Sequence, residues 1–164
     1  MTDQRQAAGG QRFVYRCALR WSDLDAFGHV NNARILTLYE EARVALLFLD
    51  AAKKGVSSFT SGVVIARHEV DYLRPIGYVP GPPPDVMPSV RVELWIEELR
   101  SSRFTVAYEL FDGDALAGRA RSVLVPYDLA SQRSRRLSDA ERAFLEPYLL
   151  PEGTRGSGTG SGER

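Results

Sequence analysis

Residues 23–43 read Asp-Leu-Asp-Ala-Phe-Gly-His-Val-Asn-Asn-Ala-Arg-Ile-Leu-Thr-Leu-Tyr-Glu-Glu-Ala-Arg, a short polar turn followed directly by a helix-forming run. Apolar residues after the turn recur at helical spacing, which predicts a helix from about Asn31 to Asp50. The members of this pattern are Ile35, Leu38, Tyr39, Ala42, Ala45, Leu46 and Leu49. Asn31 suits the N-cap, because its side chain can accept a hydrogen bond from an early backbone N–H. Beyond Arg43 nearly every position is apolar, so the helix should be buried on several sides.

The turn before this helix carries the residues that point to chemistry. Its sequence position places the Asp25 carboxylate close to the free N–H groups of the helix N-terminus. Such an N-terminus stabilises an oxyanion, and a carboxylate activates water. Together they favour hydrolysis of an activated carbonyl such as a thioester. Two structural interpretations stay open, with either Asp25 or Asp23 acting as a turn former.

Strand patterns lie on both sides of the helix. Residues 12–21 alternate as a half-buried strand, and four more strands are predicted at 62–74, 89–99, 102–111 and 115–127. Asp112-Gly113-Asp114 indicates a hairpin, whereas the five prolines of segment 80–88 indicate an irregular loop. Residues 138–149 favour a short helix with a capping box of Ser138 and Glu141. The mostly short links predict that the last four strands are antiparallel neighbours, in an α+β layer covered by the long helix.

Composition narrows the class of protein. The chain has 164 residues, is 44% hydrophobic and has a formal net charge of +0, which predicts one domain and no general affinity for nucleic acid. Its single cysteine, Cys17, excludes an intrachain disulfide and fits a small core position. No signal peptide or membrane span is visible, so a soluble cytoplasmic protein with no membrane association is expected. Residues 1–11 and the Gly/Ser-rich residues 151–164 are predicted to be disordered, with the domain at 12–150.

The turn and helix resemble the hotdog-fold acyl-CoA thioesterases of the 4-hydroxybenzoyl-CoA thioesterase type, and most closely the branch acting on long-chain fatty acyl-CoA. The resemblance covers roughly residues 12–128. It rests on Asp25, Gly28, His29, Val30, Asn31, Asn32, Ala33, Arg34, Glu40, Glu41, Ala42 and Arg43, and more weakly on Tyr72, Leu73, Arg74, Pro75, Ile76, Ser101, Ser102, Arg103 and Phe104. It implies a curved antiparallel five-stranded sheet wrapped around one long central helix. It also implies an acyl-CoA substrate, a role in fatty acid metabolism and no cofactor.

The resemblance assigns roles to individual residues. Asp25 would be the general base or the nucleophile, and the backbone N–H of Asn32 would hold the oxyanion. The side chains of Asn31 and Asn32 are expected to serve capping and turn geometry, and Gly28 to supply a backbone angle or a close approach. His29 is interpreted as a structural hydrogen-bonding residue, although an Asp25/His29 pair would suit the alternative of a hotdog enoyl-CoA hydratase or dehydratase.

Further candidates lie outside the turn. Glu41 is a reserve catalytic residue, because another thioesterase branch places a catalytic glutamate on this helix. Arg103, Arg119 and Arg121 are candidate CoA-binding residues, since arginine binds phosphate bidentately, and an ordinary solvated strand face is the alternative. His68 is expected on a solvated or interface face. A non-catalytic acyl-CoA-binding module remains a rival function.

The sequence contains no cluster of metal-ligating residues, no glycine-rich phosphate loop and no Gly-x-Ser-x-Gly elbow. The unpaired sheet edges predict a homodimer or a tetramer of dimers. In the resembled family the substrate cleft lies between protomers, with the aspartate from one chain and the CoA contacts from the other.

Overall fold

The computed structural model describes residues 10–79 and 87–150. Residues 1–9, 80–86 and 151–164 lie outside this part, so the expected disorder of the termini and the irregular proline-rich loop stay predictions there. At the start of the described chain, the backbone N–H of Gln11 donates to the carbonyl of Pro147 at 2.9 Å. The two ends of the domain are therefore hydrogen-bonded to each other.

One long helical segment occupies the centre of the molecule. Helix α1 spans Asn32–Val44, continues as a π-helix over Ala45–Asp50 and ends in α2, Ala51–Lys53. This agrees with the predicted helix, and Asn31 is its N-cap as expected. The buried side of the segment contains Ile35, Leu38, Tyr39, Ala42, Leu46, Leu47 and Ala51. Burying a large apolar side chain such as Leu46 stabilises the fold by about 1.5–3 kcal/mol.

Within the described residues, six strands form one antiparallel sheet. They are β1 (Phe13–Ala18), β2 (Val63–Tyr72), β3 (Ser89–Leu99), β4 (Phe104–Asp112), β5 (Ala115–Asp128) and the short β6 (Arg133–Ser134). The order is β1-β3-β4-β5-β2, and β6 pairs with the far end of β5. The expectation that the last four long strands are antiparallel neighbours is confirmed, although β2 pairs with β5 and not with β3, the next strand along the chain. The long link between β2 and β3 lets β2 lie at the edge beside β5.

The sheet curves around the helix. Register shifts interrupt the ladders between Ile65 and Arg67, between Ile96 and Glu98, and between Leu110 and Phe111. Such irregularities bend a strand and increase its twist. The concave face packs on the helix, so the architecture is the hotdog fold that the resemblance implies.

The C-terminal segment completes the core. Helix α3, Asp139–Leu145, begins with the predicted capping box of Ser138 and Glu141 and is followed by a 3₁₀ turn at Glu146–Tyr148. Phe144 packs against Phe59 with ring centroids 6.1 Å apart, and Leu145 is fully buried. None of the helices in the described residues is long and apolar enough to cross a membrane.

Candidate active site

A closed turn holds Asp25 at the entrance to α1. An antiparallel bridge joins Leu24 to Val30, and between them the Asp25 N–H donates to the His29 carbonyl at 2.8 Å. Gly28 has φ of +77°, and apart from its chain neighbours no atom of the described residues lies within 4 Å of the position a Cβ would take. The positive φ is the backbone angle expected for Gly28, and a close approach by a substrate stays a prediction.

The two oxygens of the Asp25 carboxylate have different surroundings. Oδ1 accepts hydrogen bonds from the backbone N–H groups of Phe27 at 2.8 Å and His29 at 3.2 Å. This is the turn-forming role that the sequence left open. Oδ2 accepts no hydrogen bond from residues 10–79 or 87–150. One oxygen thus fixes the orientation of the side chain while the other stays available to a water molecule or a substrate.

The helix N-terminus follows immediately. Asn31 Oδ1 accepts from the Ala33 N–H at 2.9 Å, which is the predicted cap. The Asn31 N–H donates to the Asp23 carbonyl at 2.8 Å and closes the loop that contains Asp25. The N–H of Asn32, the first helical residue, has no acceptor within the part of the chain that the structure describes, as is usual for a first-turn amide. Within the described residues, one carboxylate oxygen in the loop and the first amide after the loop are therefore both left without a hydrogen-bond partner.

Asp23 is a structural acid. It is only 2% exposed, and its Oδ1 lies 3.1 Å from Arg20 Nη2 and 3.9 Å from Arg34 Nε. Burial alone would raise the pKa of Asp23, but hydrogen bonds from the backbone and side chain of Arg20, with the charge of Arg34, lower it overall. Asp23 thus stays ionised inside the loop, and it has no free face toward a substrate.

The two histidines take different positions. His29 contacts Asp25 through its backbone N–H, not through its imidazole, so the side-chain pair that a hydratase would use is not formed. His68 lies on β2 with Nδ1 2.8 Å from the hydroxyl of buried Ser122. Partial burial and, to a lesser degree, the positive charge of Arg43 lower the pKa of His68.

The two acids of α1 have different neighbours. Glu40 lies 3.4 Å from Nη2 of Arg43, a side chain that is buried and bonded to the Tyr108 hydroxyl at 3.2 Å. Glu41 acts on Cys17 of β1, where burial and then the negative charge of Glu41 raise the pKa of the thiol to about 12. No described contact connects Glu41 with Asp25, so its reserve role stays a prediction.

The three candidate arginines are each paired with acids of the sheet. Arg119 lies 3.3 Å from Glu109, and Arg121 is paired with Glu97 and lies 3.8 Å from Glu69. Arg119 and Arg121 line one shallow pocket on the convex face of the sheet, together with Trp95. Arg103 lies at the β3–β4 turn, and its side chain is 3.9 Å from Glu98. Their CoA-binding role therefore stays a prediction about an assembled protein.

The segment 72–77 supports the turn, a role that the sequence did not reveal. The Val30 N–H donates to the Ile76 carbonyl at 2.8 Å, and His29 forms an antiparallel bridge with Gly77. The hydroxyl of Tyr72 donates to the Asn32 carbonyl at 3.2 Å. The one signal in the sequence was the second stretch of resemblance at Tyr72–Ile76, which had no role attached to it.

Exposed apolar side chains surround the turn. Trp21, in the 3₁₀ turn just before Asp25, is 75% exposed, and Phe27, within the turn, is 85% exposed. Tyr78 follows Gly77 and meets the Trp21 ring edge-on at 5.6 Å between centroids. Exposed large aromatic side chains close to one turn make that turn a candidate binding surface. Residues 10–79 and 87–150 contain no group of three or more potential ligands that could hold a metal ion.

Comparisons with known proteins identify the family of the chain. A family model described as the thioesterase-like superfamily matches residues 19–148. The chain is 25% identical to the structure of a predicted thioesterase from Bacillus stearothermophilus, with a TM-score of 0.70 over 87% of this chain and 99% of that one. It is 28% identical to a thioesterase from Thermus thermophilus complexed with coenzyme A and Zn, with a TM-score of 0.64 over 85% of this chain and 95% of that one.

A third structure shares the fold alone. It is a 1,4-dihydroxy-2-naphthoyl-CoA thioesterase from Synechocystis, 19% identical, with a TM-score of 0.65 over 82% of this chain and 95% of that one. No curated protein matches the chain.

Proposed function

The chain belongs to the thioesterase-like superfamily and is a thioester hydrolase, and we propose that its substrate is an acyl-CoA, which it splits into free CoA and a carboxylic acid. The observation that carries this proposal is a pair of groups that lack a hydrogen-bond partner within the described residues, the Asp25 Oδ2 in the closed loop and the Asn32 N–H directly after it. The similar thioesterase from Thermus thermophilus, described in complex with coenzyme A, supports CoA as the carrier of the acyl group.

Each group has one chemical task in the proposed reaction. The Asn32 N–H donates to the thioester oxygen and stabilises the negative charge that develops there, an interaction worth about 3 kcal/mol in the transition state. Asp25 Oδ2 takes a proton from water as the water oxygen attacks the carbonyl carbon. The tetrahedral intermediate then collapses, the C–S bond breaks, and CoA leaves as a thiolate that is protonated.

A covalent route uses the same two groups. Asp25 Oδ2 attacks the carbonyl carbon directly, the thiolate leaves, and water hydrolyses the resulting mixed anhydride to release the acid and regenerate the carboxylate. In this route too the Asn32 N–H holds the oxyanion. Because Oδ1 already accepts two backbone hydrogen bonds, Oδ2 is the oxygen that acts in either route.

The exposed aromatics around the turn favour an apolar acyl group. Trp21 and Phe27 flank Asp25 in sequence, and most of the surface of both rings is exposed. Apolar acyl chains gain about 0.8 kcal/mol for each CH₂ that such contacts remove from water. This agrees with the long-chain branch that the sequence resembles. A thiol-release screen over acyl-CoA substrates of increasing length should therefore show kcat/KM rising with chain length.

The direct test is Asp25→Asn. Asparagine keeps an oxygen that accepts from Phe27 and His29 but loses the basic carboxylate, so kcat should fall ~100-fold or more with the fold intact. Asp128→Asn is the matched control, because Asp128 Oδ1 likewise accepts two backbone N–H groups in a turn, from Ala130 and Ser131. The control should keep its turnover. An Asp25→Asn variant within about threefold of wild type would contradict the assignment.

The rival functions have their own readouts. An enoyl-CoA hydratase would consume enoyl absorbance without releasing thiol, and the backbone contact between His29 and Asp25 gives no support to that chemistry. A non-catalytic binding module would bind acyl-CoA saturably and release no thiol under any condition. Both assays use the same protein preparation and the same family of substrates.

A further inference from the structure

Tyr72 connects the edge of the sheet to the first turn of α1. It is the last residue of β2, its side chain is half exposed, and its hydroxyl donates to the Asn32 carbonyl at 3.2 Å. We propose that Tyr72 is a positioning residue, which holds the first helical turn so that the Asn32 N–H points at the thioester oxygen. This inference rests on the proposed function and adds a residue to its machinery.

The hydrogen bond from Tyr72 enters a short chain of such bonds. The peptide group between Asn32 and Ala33 accepts from Tyr72 through its oxygen and donates through the Ala33 N–H to Asn31 Oδ1 at 2.9 Å. A peptide that accepts at one end becomes a better donor at the other, so the two bonds strengthen each other. The Asn32 N–H belongs to the adjacent peptide, whose orientation is limited by these two bonds.

The backbone of Tyr72 is held in place by the sheet. It lies opposite Gly118 in the β2–β5 ladder. Just beyond it, the N–H groups of Leu73 and Arg74 both donate to the Ala117 carbonyl, at 2.9 and 3.2 Å. The Tyr72 hydroxyl is thus fixed to the sheet, not to a free loop. Because catalytic donors act best when they are held before the reaction begins, a sheet-anchored contact to this turn is what an oxyanion donor requires.

The same bond also admits a purely structural interpretation, in which it only prevents fraying of the helix start. The two interpretations differ in what they change. Loss of a purely structural bond would lower the melting temperature and change the affinities for all ligands alike. A positioning bond affects the transition state, and leaves ground-state binding of CoA unchanged.

The experiment is Tyr72→Phe, which removes one hydroxyl and keeps the ring. We expect kcat to fall ~10-fold while KM stays within about twofold, since one lost hydrogen bond of this kind corresponds to roughly a factor of ten. Inhibition by a trifluoromethyl ketone analogue of the acyl-CoA, which mimics the tetrahedral intermediate, should weaken by a similar ~10-fold factor, whereas inhibition by free CoA should not change. Tyr127→Phe is the matched control, because Tyr127 lies on β5 outside the candidate site and its hydroxyl has no hydrogen-bond partner within the described residues.

A double-mutant cycle tests the chain of bonds. Asn31→Ala removes the other partner of the same peptide, so its effect on kcat should be less than additive with that of Tyr72→Phe. Additive effects would overturn the inference, as would equal losses toward the ketone and free CoA. A Tyr72→Phe variant with wild-type kcat, in a protein that Asp25→Asn inactivates, would overturn it and leave the proposed function standing. A wild-type protein without thiol release would overturn the proposed function itself.

Discussion

The turn gives the two oxygens of the Asp25 carboxylate different surroundings, so one side chain can combine a structural role with the proposed chemical role. Two backbone N–H groups bind Oδ1 and hold the side chain in one orientation. Oδ2 therefore points in a fixed direction before a substrate binds. Little conformational entropy is then lost in orienting the carboxylate, which is the advantage of a preorganised site. The two sequence interpretations of Asp25, turn former and reacting acid, are therefore compatible. Asp23 differs from Asp25, because both of its carboxylate oxygens accept hydrogen bonds from Arg20.

The amide of Asn32 can be tested by a backbone change. Asn32→Pro deletes the N–H, and position 32 is the first helical residue, where proline is tolerated. Proline also requires an extended preceding residue, and Asn31 already has φ of −59° and ψ of 137°. We expect kcat to fall ~100-fold or more in the proline variant and to stay within about threefold of wild type in Asn32→Ala.

The readout for this pair is thiol release measured beside a thermal melt. The alanine variant is the control for loss of the side chain, because it keeps the amide. A proline variant that melts like wild type and turns over normally would eliminate Asn32 as the oxyanion donor. The same result would leave Asp25 unaffected as a candidate.

At the scale of secondary structure, local patterns were sufficient for most elements. The helical spacing predicted α1, the Asn31 side chain predicted its cap, and Ser138 with Glu141 predicted the start of α3. Each depends on residues a few positions apart, where one sequence contains all the information. The burial of Arg43 is a feature that local patterns did not predict. An Arg three residues after Glu40 resembles an exposed helix pair, yet Arg43 is buried because Tyr108, on β4, supplies its acceptor.

Helix α3 is predicted to make the stability of the domain sensitive to acid. Glu141 is fully buried and accepts from both Nη atoms of Arg135, at 2.8 and 2.7 Å, and from the Ser138 N–H at 2.8 Å. Burial raises the pKa of Glu141, but the hydrogen bonds from Arg135, Ser138 and Ser58 lower it overall. A lowered pKa in the folded state means stability that is present at neutral pH and lost as the pH falls through that pKa.

Glu141→Gln should therefore destabilise the protein at neutral pH by about 3 kcal/mol, because Arg135 loses its partner charge in a largely buried site. The same variant should show a weaker loss of stability on acidification than wild type. Asp139→Asn, an exposed acid in the same helical turn, is the control and should cost less than about 1 kcal/mol. Urea melts across the acidic pH range measure both effects. Parallel pH profiles in wild type and Glu141→Gln would contradict this account of the buried pair.

At the scale of the molecule, the sequence predicted the hotdog sheet through resemblance, and pattern alone stopped at an α+β layer. Alternation identified the strands but not their order, since pairing depends on contacts distant in sequence. The position of β2 beside β5 is the clearest instance. That position is also what lets Tyr72 reach the helix N-terminus. Treating the strands one by one therefore could not reveal that residues 72–77 support the active site.

The two outer long strands leave edges that one chain does not fill. Strand β1 pairs only with β3 and strand β2 only with β5 within the described residues. Most residues of β2 are exposed, among them His68 and Tyr72. A long unpaired strand is a template for another strand, and symmetric pairing of two copies would satisfy it. We therefore propose a homodimer, or a tetramer of dimers, whose copies meet along β2.

If the proposed dimer shares its sites, mixed dimers should recover activity that neither parent has. One parent is Asp25→Asn. The other carries Arg103→Ala and Arg119→Ala but keeps Arg121, because Arg121 neutralises the buried Glu97. Replacing these two arginines leaves both of their acidic partners in an ion pair, since Glu98 keeps Arg100 at 2.7 Å and Glu109 keeps Arg12 at 2.6 Å.

Each parent should be nearly inactive alone, because one lacks the proposed reacting carboxylate in both sites and the other lacks two of the three candidate CoA-binding arginines in both. In an equal mixture half of the dimers are mixed, and each mixed dimer has one intact site of two. Subunit exchange followed by thiol-release assays should thus restore about a quarter of wild-type activity. Sedimentation under assay conditions supplies the control for dimer formation. A fully active monomer would refute the shared site, and so would mixed dimers that form and remain inactive.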